Sequence, residues 1–461
     1  MSRTDPAAPG GPRPHAVTAP MFGRLARGDG GADAMRVLAD AEYSRRLVML
    51  WAVRRAAMRH SGDVERRGRT AWDVLTAAQH RSPAAVRALI AYPSVGPLLL
   101  RTLNALTAPA GPPDTTRTGP DPLHALTCLA AAAAVTTGLE ARVSLIVCGR
   151  RIVLPGVGAV HPPALPCGTR AVVEAGPAGA HVTVDRQRIA LSREPSRTAG
   201  AWQGLRILLP GDGPGEDLAF DDIDPYHTGI SGRCGRLPEA LWQRWRHNVT
   251  AGWRLLRAEH TGAADEAAVV FRALVPLAGP AGSRRSSSSK ETFGAAALTL
   301  PDTTHGMALT LTHELQHNKL SALLHLFDLV AEQPGELFYA PWREDPRPLV
   351  GLLHGTYAHL GVARFWQRRS MRLTGADRHE AEVQFARWRG GAVEAAETLI
   401  ASGRLTGDGM SFVAGMHAAL EELADAPVSA TATAEGAVRA AAHRRQWTAR
   451  HGALLPGGRP R

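Results

Sequence analysis

The sequence predicts an α+β fold that is mainly helical, with a mostly antiparallel β region in the middle and a C-terminal helical, metal-binding part that carries an HExxH motif. Apolar residues recur every three to four positions before residue 138 and after residue 238, as in amphipathic helices. Short β-branched runs separated by Gly and Pro lie between these two stretches. The motif itself, residues 313–317, falls inside one of the C-terminal helical patterns.

The first part of the chain is predicted to be a tail followed by helices. Residues 1–20 are rich in Pro, Gly and Ala and lack the pattern of a signal peptide, so we expect a disordered tail. Residues 21–138 form the predicted N-terminal helical region. Within it, Ser82-Pro83 is typical of a helix start and Tyr92-Pro93 of a helix end. An Ala-rich helix is expected at 123–138.

Residues 139–226 are predicted to be rich in β-strands. Their short apolar runs have the length and spacing of strands joined by turns: 141–147, 152–154, 171–173, 181–184, 188–191 and 205–209. The region ends in an acidic turn, Phe220-Asp-Asp-Ile-Asp-Pro-Tyr226.

Residues 227–445 form the predicted helical catalytic region. Trp242, Trp245, Val249 and Trp253 recur at helical spacing, which is typical of a face that packs into a core. A strand is expected at 292–300, and Pro301-Asp-Thr303 then starts an amphipathic helix that carries the motif to about Val330. Two more helices are expected at about 348–371 and 377–402. Residues 446–461 are expected to be a loose tail.

Composition limits the possible partners. The net charge is +11, but the chain has only two lysines and its many arginines are scattered, so we expect no nucleic-acid partner. A basic surface that attracts an acidic peptide explains the net charge equally well. No run of 18 apolar residues occurs, so no membrane span is expected and the protein is expected to be cytoplasmic. The four cysteines form no C-x-x-C pair and are expected to be small buried residues.

The motif predicts a metal site. His313 and His317 are four residues apart, so on a helix both imidazoles project from one face, as two ligands of one metal require. Glu314 lies about 100° around the helix from His313, where it can act as a base or orient a ligand. A pair of core histidines without metal is the alternative interpretation.

The third ligand must come from outside this helix turn. Leu320 and Leu323 exclude the longer metzincin motif, and His325 lies about 12 Å along the axis from His317. The remaining acids and histidines that follow are Glu336, Glu344, His354, His359, His379 and Glu380. We favour His354, because it stands in an apolar helix start and is followed by Gly. His359 lies about 140° away around the same helix, so both are not expected to point at one metal.

The residues alone leave two metals open. In a zinc peptidase, Glu314 would activate the metal-bound water. Three protein ligands also fit a non-haem Fe(II) oxygenase that binds a 2-oxo acid and O₂. The oxygenase hypothesis also requires a cation for the distal carboxylate of the 2-oxo acid. The candidates are Arg343, Arg347 and Lys319.

Three segments resemble a specific bacterial family: residues 312–320, 339–349 and 351–355. They are similar to the HExxH-type, 2-oxoglutarate-dependent peptide β-hydroxylases found beside genes for ribosomally made, post-translationally modified peptides (RiPPs). The similarity is close over 285–370 and looser over 20–420. It implies Fe(II) held by His313, His317 and His354, 2-oxoglutarate as co-substrate, and hydroxylation of a peptide side chain at its β-carbon.

The resemblance also implies roles for other groups. Glu314 becomes a residue that orients a ligand, and Arg347 is the predicted partner of the 2-oxoglutarate carboxylate. The implied partners are a ribosomally made precursor peptide and, as a further candidate, a radical maturase from the same gene cluster. Two alternatives stay open: a zinc metallopeptidase that processes the same kind of peptide, and a non-catalytic scaffold that binds a precursor peptide or a maturase.

Overall fold

The structure is a computed structural model. It describes residues 15–108, 121–147, 151–161, 168–213, 215–227, 235–279, 285–331 and 335–452. Helices account for 58% of it and most strand pairs are antiparallel, which confirms the predicted α+β, mainly helical class.

The N-terminal region is helical as predicted. Its helices are α1 (Ala19–Ala26), α2 (Gly31–Ala57), α3 (Asp63–Arg81), α4 (Pro83–Ala91), α5 (Val95–Thr107) and α6 (His124–Thr137). The start at Ser82-Pro83 and the end at Tyr92-Pro93 are confirmed. Helix α6 is buried on every side from His124 to Val135, which explains why its sequence is almost uniformly Ala and Leu.

The middle of the chain forms β-sheets. Its strands are β1 (Ala141–Ile146), β2 (Ile152–Leu154), β3 (Gly158–Val160), β4 (Arg170–Gly176), β5 (Gly179–Val184), β6 (Gln187–Leu191), β7 (Thr198–Ala199), β8 (Trp202–Gly204), β9 (Arg206–Leu209) and β10 (Leu218–Phe220). One antiparallel sheet has the order β1-β4-β5-β6 and a second has the order β2-β3-β8-β7. Both contribute to a core with α6 at its centre.

The C-terminal region begins with helices, adds strands and ends with helices. In order these are α7 (Glu239–Glu259), α8 (Thr261–Val270), β11 (Ala273–Pro276), β12 (Ser286–Ser287), β13 (Ala295–Leu298), α9 (Thr304–Leu323), β14 (Leu337–Phe338), β15 (Arg347–Pro348), α10 (Leu349–Ser370), α11 (Gly375–Ala401), α12 (Gly407–Glu422) and α13 (Ala430–His451). Helices α9, α10 and α11 pack together in the second large core.

A five-stranded sheet crosses the predicted boundary at residue 226. Its order is β12-β13-β11-β10-β9, so strands from both sides of the boundary share it. Strand β10 pairs in parallel with β11, and β11 with β13, because the chain returns through α7 and α8 before it adds β11. The sequence missed this mixed sheet, since β11 and β13 are short and separated from β10 by helices.

Three predicted boundaries need correction. Helix α1 begins at Ala19, inside the predicted tail, and the rest of that tail up to residue 14 lies outside the described residues. Helix α9 ends at Leu323 rather than near Val330. Helix α13 runs to His451, beyond the predicted limit of 445, because Trp447 is buried and its ring packs against Tyr339.

Within the described ranges, no single helix is long and apolar enough to cross a membrane. Helices α4 and α5 together meet the criteria of length and composition, but they are bent by 76° where they meet. Cys128 is buried in α6 as expected, and the other three cysteines lie outside the described residues.

Candidate metal centre

Helix α9 is fixed against the five-stranded sheet. The Thr303 side chain caps its start by accepting a hydrogen bond from the Gly306 amide, which confirms the predicted start. One turn beyond Glu314, the Asn318 side chain accepts from the amide of Gly294 at 2.8 Å and donates to the carbonyl of Ala295 at 3.1 Å. These bonds hold the motif beside strand β13.

The two motif histidines are the accessible residues of an otherwise buried helix segment. From Leu311 to Leu323, every side chain is buried except those of His313 and His317, which are half-buried. The prediction of an amphipathic helix is therefore wrong, because α9 is surrounded by protein on nearly all sides. The two imidazole centroids are 4.5 Å apart, as expected for residues four apart on one helix face.

His354 lies on α10 beside this pair. Its ring centroid is 5.6 Å from that of His317, and from Leu352 to Ala363 it is the one side chain that is not buried. Each of the two buried helix segments thus contains half-buried histidine side chains, and His317 of α9 lies next to His354 of α10. Ligand atoms of His313, Glu314 and His317 all lie within 4.8 Å of one another, and His354 approaches this group through its ring contact with His317.

Glu314 contacts a predicted ligand directly. Its Oε1 lies 3.0 Å from Nδ1 of His313, so a protonated Nδ1 donates to the carboxylate and Nε2 retains its lone pair. Burial alone would raise the pKa of Glu314, but the interaction with His313, chiefly the hydrogen bond, outweighs burial and lowers the pKa to about 2. One carboxylate oxygen, Oε2, has no hydrogen-bond partner among the described residues.

A fourth histidine, His359, lies on the other side of the motif pair. Its ring centroid is 5.6 Å from that of His313, and the ring stacks on Trp342 at 4.2 Å. Its Nδ1 donates to the carbonyl of Gly355 at 2.9 Å. His359 is only 7% exposed, so it is more enclosed than the three predicted ligands.

Gly355 is required for this arrangement. A Cβ at this position would lie 2.2 Å from Nε1 of Trp342, so any other residue would push the indole away from α10. The absence of a side chain after His354 therefore lets Trp342 cover His359. The sequence indicated a close approach at Gly355 but not which residue approaches it.

The surroundings of three of these histidines, His317, His354 and His359, favour the neutral ring. Burial and, to a smaller extent, the charge of the nearby Arg347 together lower the pKa of His354 to about 4. Burial and the neighbouring His313 lower the pKa of His359 to about 3. Burial and His313 also hold the pKa of His317 well below its usual range. Neutral imidazoles are the form that binds a metal.

The predicted cations lie in different places. Arg347 is close to His354, and its guanidinium contacts Asp345 at 3.2 Å; Arg343 contacts the same carboxylate. Lys319, in contrast, is fully buried and pairs with Glu266 at 2.6 Å, so it cannot meet a ligand at the metal centre. The prediction of Lys319 as a candidate cation is wrong, because its side chain leaves α9 toward α8.

The sequence missed a second arginine beside the centre. Arg387 on α11 stacks on Trp388, with its guanidinium carbon 4.3 Å from the ring centroid, and Trp388 lies 5.1 Å from the ring of His359. The charge of Arg387 helps to lower the pKa of His359. No described carboxylate forms an ion pair with it. Nothing in the α11 sequence distinguishes it from the neighbouring Arg389, which reaches Glu421 and the carbonyl of Leu420.

The acidic turn supplies a second group with metal-ligand chemistry. Asp221, Asp224 and His227 each place a ligand atom within 4.8 Å of the others, and all three are buried. However, their four carboxylate oxygens already accept hydrogen bonds from protein donors, including Tyr92 and Ser94. The two carboxylates are therefore satisfied and join β10 to the link from α4 to α5, whereas Nδ1 of His227 has no hydrogen-bond partner among the described residues.

The donor set on α9 and α10 fits a first-row transition metal. Neutral imidazoles suit zinc, iron, copper and nickel, and a hydrogen bond from the second ring nitrogen to a carboxylate, as in His313–Glu314, is typical of metal-binding histidines. No protein-family model matches this chain, and no curated protein matches it.

Proposed function

We propose that this protein is an Fe(II)- and 2-oxoglutarate-dependent oxygenase that hydroxylates the β-carbon of a side chain in a ribosomally made peptide. The observation that carries the proposal is the accessibility pattern: His313, His317 and His354 are the half-buried residues of two buried helix segments, and His317 lies beside both of the others. The activity itself is inferred from the resemblance of the surrounding motifs to the peptide β-hydroxylases.

In this proposal, His313, His317 and His354 hold Fe(II). The bound iron, with 2-oxoglutarate and O₂, would supply the oxidation of an unactivated C–H bond. Because all three imidazoles are half-buried, the co-substrate would approach the site from their accessible side. Glu314 orients His313 through Nδ1 and keeps Nε2 available as the donor atom.

The state of Glu314 supports the oxygenase over the zinc peptidase. In a peptidase of this motif, the glutamate activates water bound to the metal. Here Oε1 is engaged by His313 and the side chain is 0% exposed. A carboxylate held in this way is suited to fixing a ligand rather than to exchanging protons with water. The peptidase remains the second candidate because Oε2 has no partner among the described residues.

Arg347 is the proposed partner of the distal carboxylate of 2-oxoglutarate. It lies beside His354, and its contact with Asp345 is 3.2 Å long and half-exposed, so a ligand carboxylate can compete for it. Arg387, on the His359 side, is the second cation near the centre. A precursor peptide is the proposed substrate, a radical maturase from the same pathway is a candidate partner, and the cytoplasm is the proposed location.

The proposal is tested by anaerobic reconstitution with Fe(II), followed by titration with 2-oxoglutarate while the visible spectrum is recorded. A weak metal-to-ligand charge-transfer band is expected for the wild-type protein. The band should be absent in His354→Ala and retained in His379→Ala, which changes a histidine on α11 that pairs with Glu435 instead. Absence of the band, with stoichiometric zinc and peptide cleavage that requires Glu314, would establish the metallopeptidase.

A further inference from the structure

A groove and a recess lie beside a face of α9 that is about 100° around the helix from the face carrying His313 and His317. The groove has a volume of about 480 Å³ and is lined by the turn between α1 and α2 and by Arg364 of α10. The recess, of about 40 Å³, continues inward and is bounded by α8, α9 and α10. Asp29 and Arg364 belong to both, so they mark the junction. His313, His317, His354 and His359 do not line either space.

Some arginines at this junction form ion pairs with carboxylates, and others do not. At the mouth of the groove, Arg24 pairs with Asp33 and Arg27 pairs with Glu422. Arg364 and Arg368, one helical turn apart on α10, form no ion pair with any described carboxylate. The charge of Asp29 raises the pKa of Arg364, whereas the charges of Arg368 and Arg27 lower it. The junction therefore has a guanidinium available for an anion.

The absence of a side chain at Gly28 allows the Arg364 guanidinium to lie against the turn between α1 and α2. Gly28 has a φ of +79°, and a Cβ there would lie 2.8 Å from Leu360 and 3.1 Å from Nη1 of Arg364. The carbonyl of Gly28 also accepts hydrogen bonds from Gln316 and Lys319 of α9. The turn is thus fixed between α9 and α10, with Arg364 against it.

Two buried polar atoms in the walls of the recess have no partner. His260 is 3% exposed and Gln316 is 4% exposed, yet Nε2 of His260 and Oε1 of Gln316 make no hydrogen bond in the described structure. The nearest acidic oxygen to His260, on Glu259, is 4.0 Å away and pairs with Arg369. Buried polar atoms are nearly always satisfied, so these two point to a small polar occupant of the recess.

We propose that this groove and recess bind a small molecule bearing a carboxylate or phosphate group, with Arg364 contacting the anionic oxygens and the recess accepting a small polar part. Planar guanidinium groups bind both kinds of oxyanion with paired hydrogen bonds. The groove is large enough for a small metabolite. Because Thr312 and Gln316 line the recess and adjoin His313 and His317, the occupant would contact the helix that carries the metal ligands.

The inference does not depend on the oxygenase proposal, so it is tested on metal-free protein. Isothermal titration calorimetry with inorganic phosphate, citrate and 2-oxoglutarate as separate probes distinguishes phosphate from carboxylate ligands. We expect one equivalent of at least one probe to bind with a Kd below about 1 mM. Arg364→Gln should weaken that binding by at least about tenfold, which is the loss expected for one charged hydrogen bond. Arg254→Gln, at an exposed position of α7 that lines neither space, should not.

Two further measurements keep the outcome interpretable. Circular dichroism and thermal unfolding without ligand check that Arg364→Gln folds. Arg368→Gln changes an exposed arginine of α10 and should weaken binding less than Arg364→Gln. The same loss of affinity in the double variant His313→Ala/His317→Ala would assign the binding to the metal centre and overturn the proposal. No binding of any probe, or equal binding by Arg364→Gln and the wild type, would also overturn it.

Discussion

The Nδ1 atom of His359 lies 2.9 Å from the carbonyl oxygen of Gly355, one turn earlier on the same helix. This hydrogen bond fixes the tautomer of His359, so Nε2 carries the lone pair. A backbone carbonyl is a common partner for the second nitrogen of a metal-binding histidine. The third-ligand assignment is therefore a choice between His354, which is half-buried next to His317, and His359, which is enclosed next to His313.

The first prediction separates these two histidines. His354→Phe should remove a ligand and reduce Fe(II) or Co(II) affinity by more than the roughly 10- to 100-fold loss seen when only a supporting residue is changed. His359→Phe keeps an aromatic ring against Trp342 and should change affinity by less than about tenfold. Metal titrations followed by Co(II) absorption provide the measurement. The reverse ranking would make His359 the ligand.

The second prediction concerns Glu314. Glu314→Gln should weaken metal binding by roughly 10- to 100-fold, because the carboxylate no longer orients His313, while the 2-oxoglutarate band persists at saturating Fe(II). Spectroscopic titration gives both quantities. A variant that binds zinc normally but has lost a peptide-cleaving activity of the wild type would support the metallopeptidase instead.

The third prediction compares the two arginines beside the centre. Arg347→Gln should raise the 2-oxoglutarate concentration that gives half of the maximal band intensity by about 10- to 100-fold. This factor corresponds to the loss of one charged hydrogen bond of about 1.5–3 kcal/mol. Arg387→Gln should raise it less, because Arg387 lies on the His359 side. Pyruvate, which lacks the distal carboxylate, serves as the control and should bind both variants like the wild type. A larger effect of Arg387→Gln would move the carboxylate site to that side.

The fourth prediction concerns the buried pair of Lys319 and Glu266, whose side chains are 0% and 2% exposed. Lys319→Met should lower the free energy of unfolding by about 3–5 kcal/mol, because it leaves Glu266 buried without its cation. Lys290→Met changes the other lysine, which is exposed, and should have an effect within about 0.5 kcal/mol. Urea denaturation measures both. Equal stability of the two variants would show that Glu266 needs no cation, since it also accepts from Gly30 and Gly31.

The fifth prediction follows from His124, which is remote from the metal centre. Burial is the main cause that lowers the pKa of His124 from 6.5 to about 4. Between these values the unfolded chain binds a proton that the folded chain does not, so stability falls as the pH drops from about 6.5 to about 4. The loss reaches roughly 3 kcal/mol at pH 4. His124→Gln should lack this component when unfolding curves at pH 7 and pH 4 are compared, and an unchanged pH dependence would contradict it.

The sequence predicted the fold class and the residues of the candidate centre because both depend on local spacing. Helical periodicity identified the helices around the motif, and a separation of four residues placed His313 and His317 on one helix face. The position of His354 in an apolar helix start marked it as the third histidine. Each of these signals lies within one helix, whereas the choice between His354 and His359 depends on how α10 packs against α9.

Tertiary structure decided what surrounds those residues. The sequence could not show that β10 and β11 pair in parallel, that Lys319 points at Glu266, or that Trp342 covers His359. These contacts join segments that are distant in the chain, and local propensity carries no information on which distant partner a side chain meets. The sequence alone thus determined which side chains could bind a metal, whereas packing between α9, α10 and α11 decided which of them are accessible and which cations lie beside them.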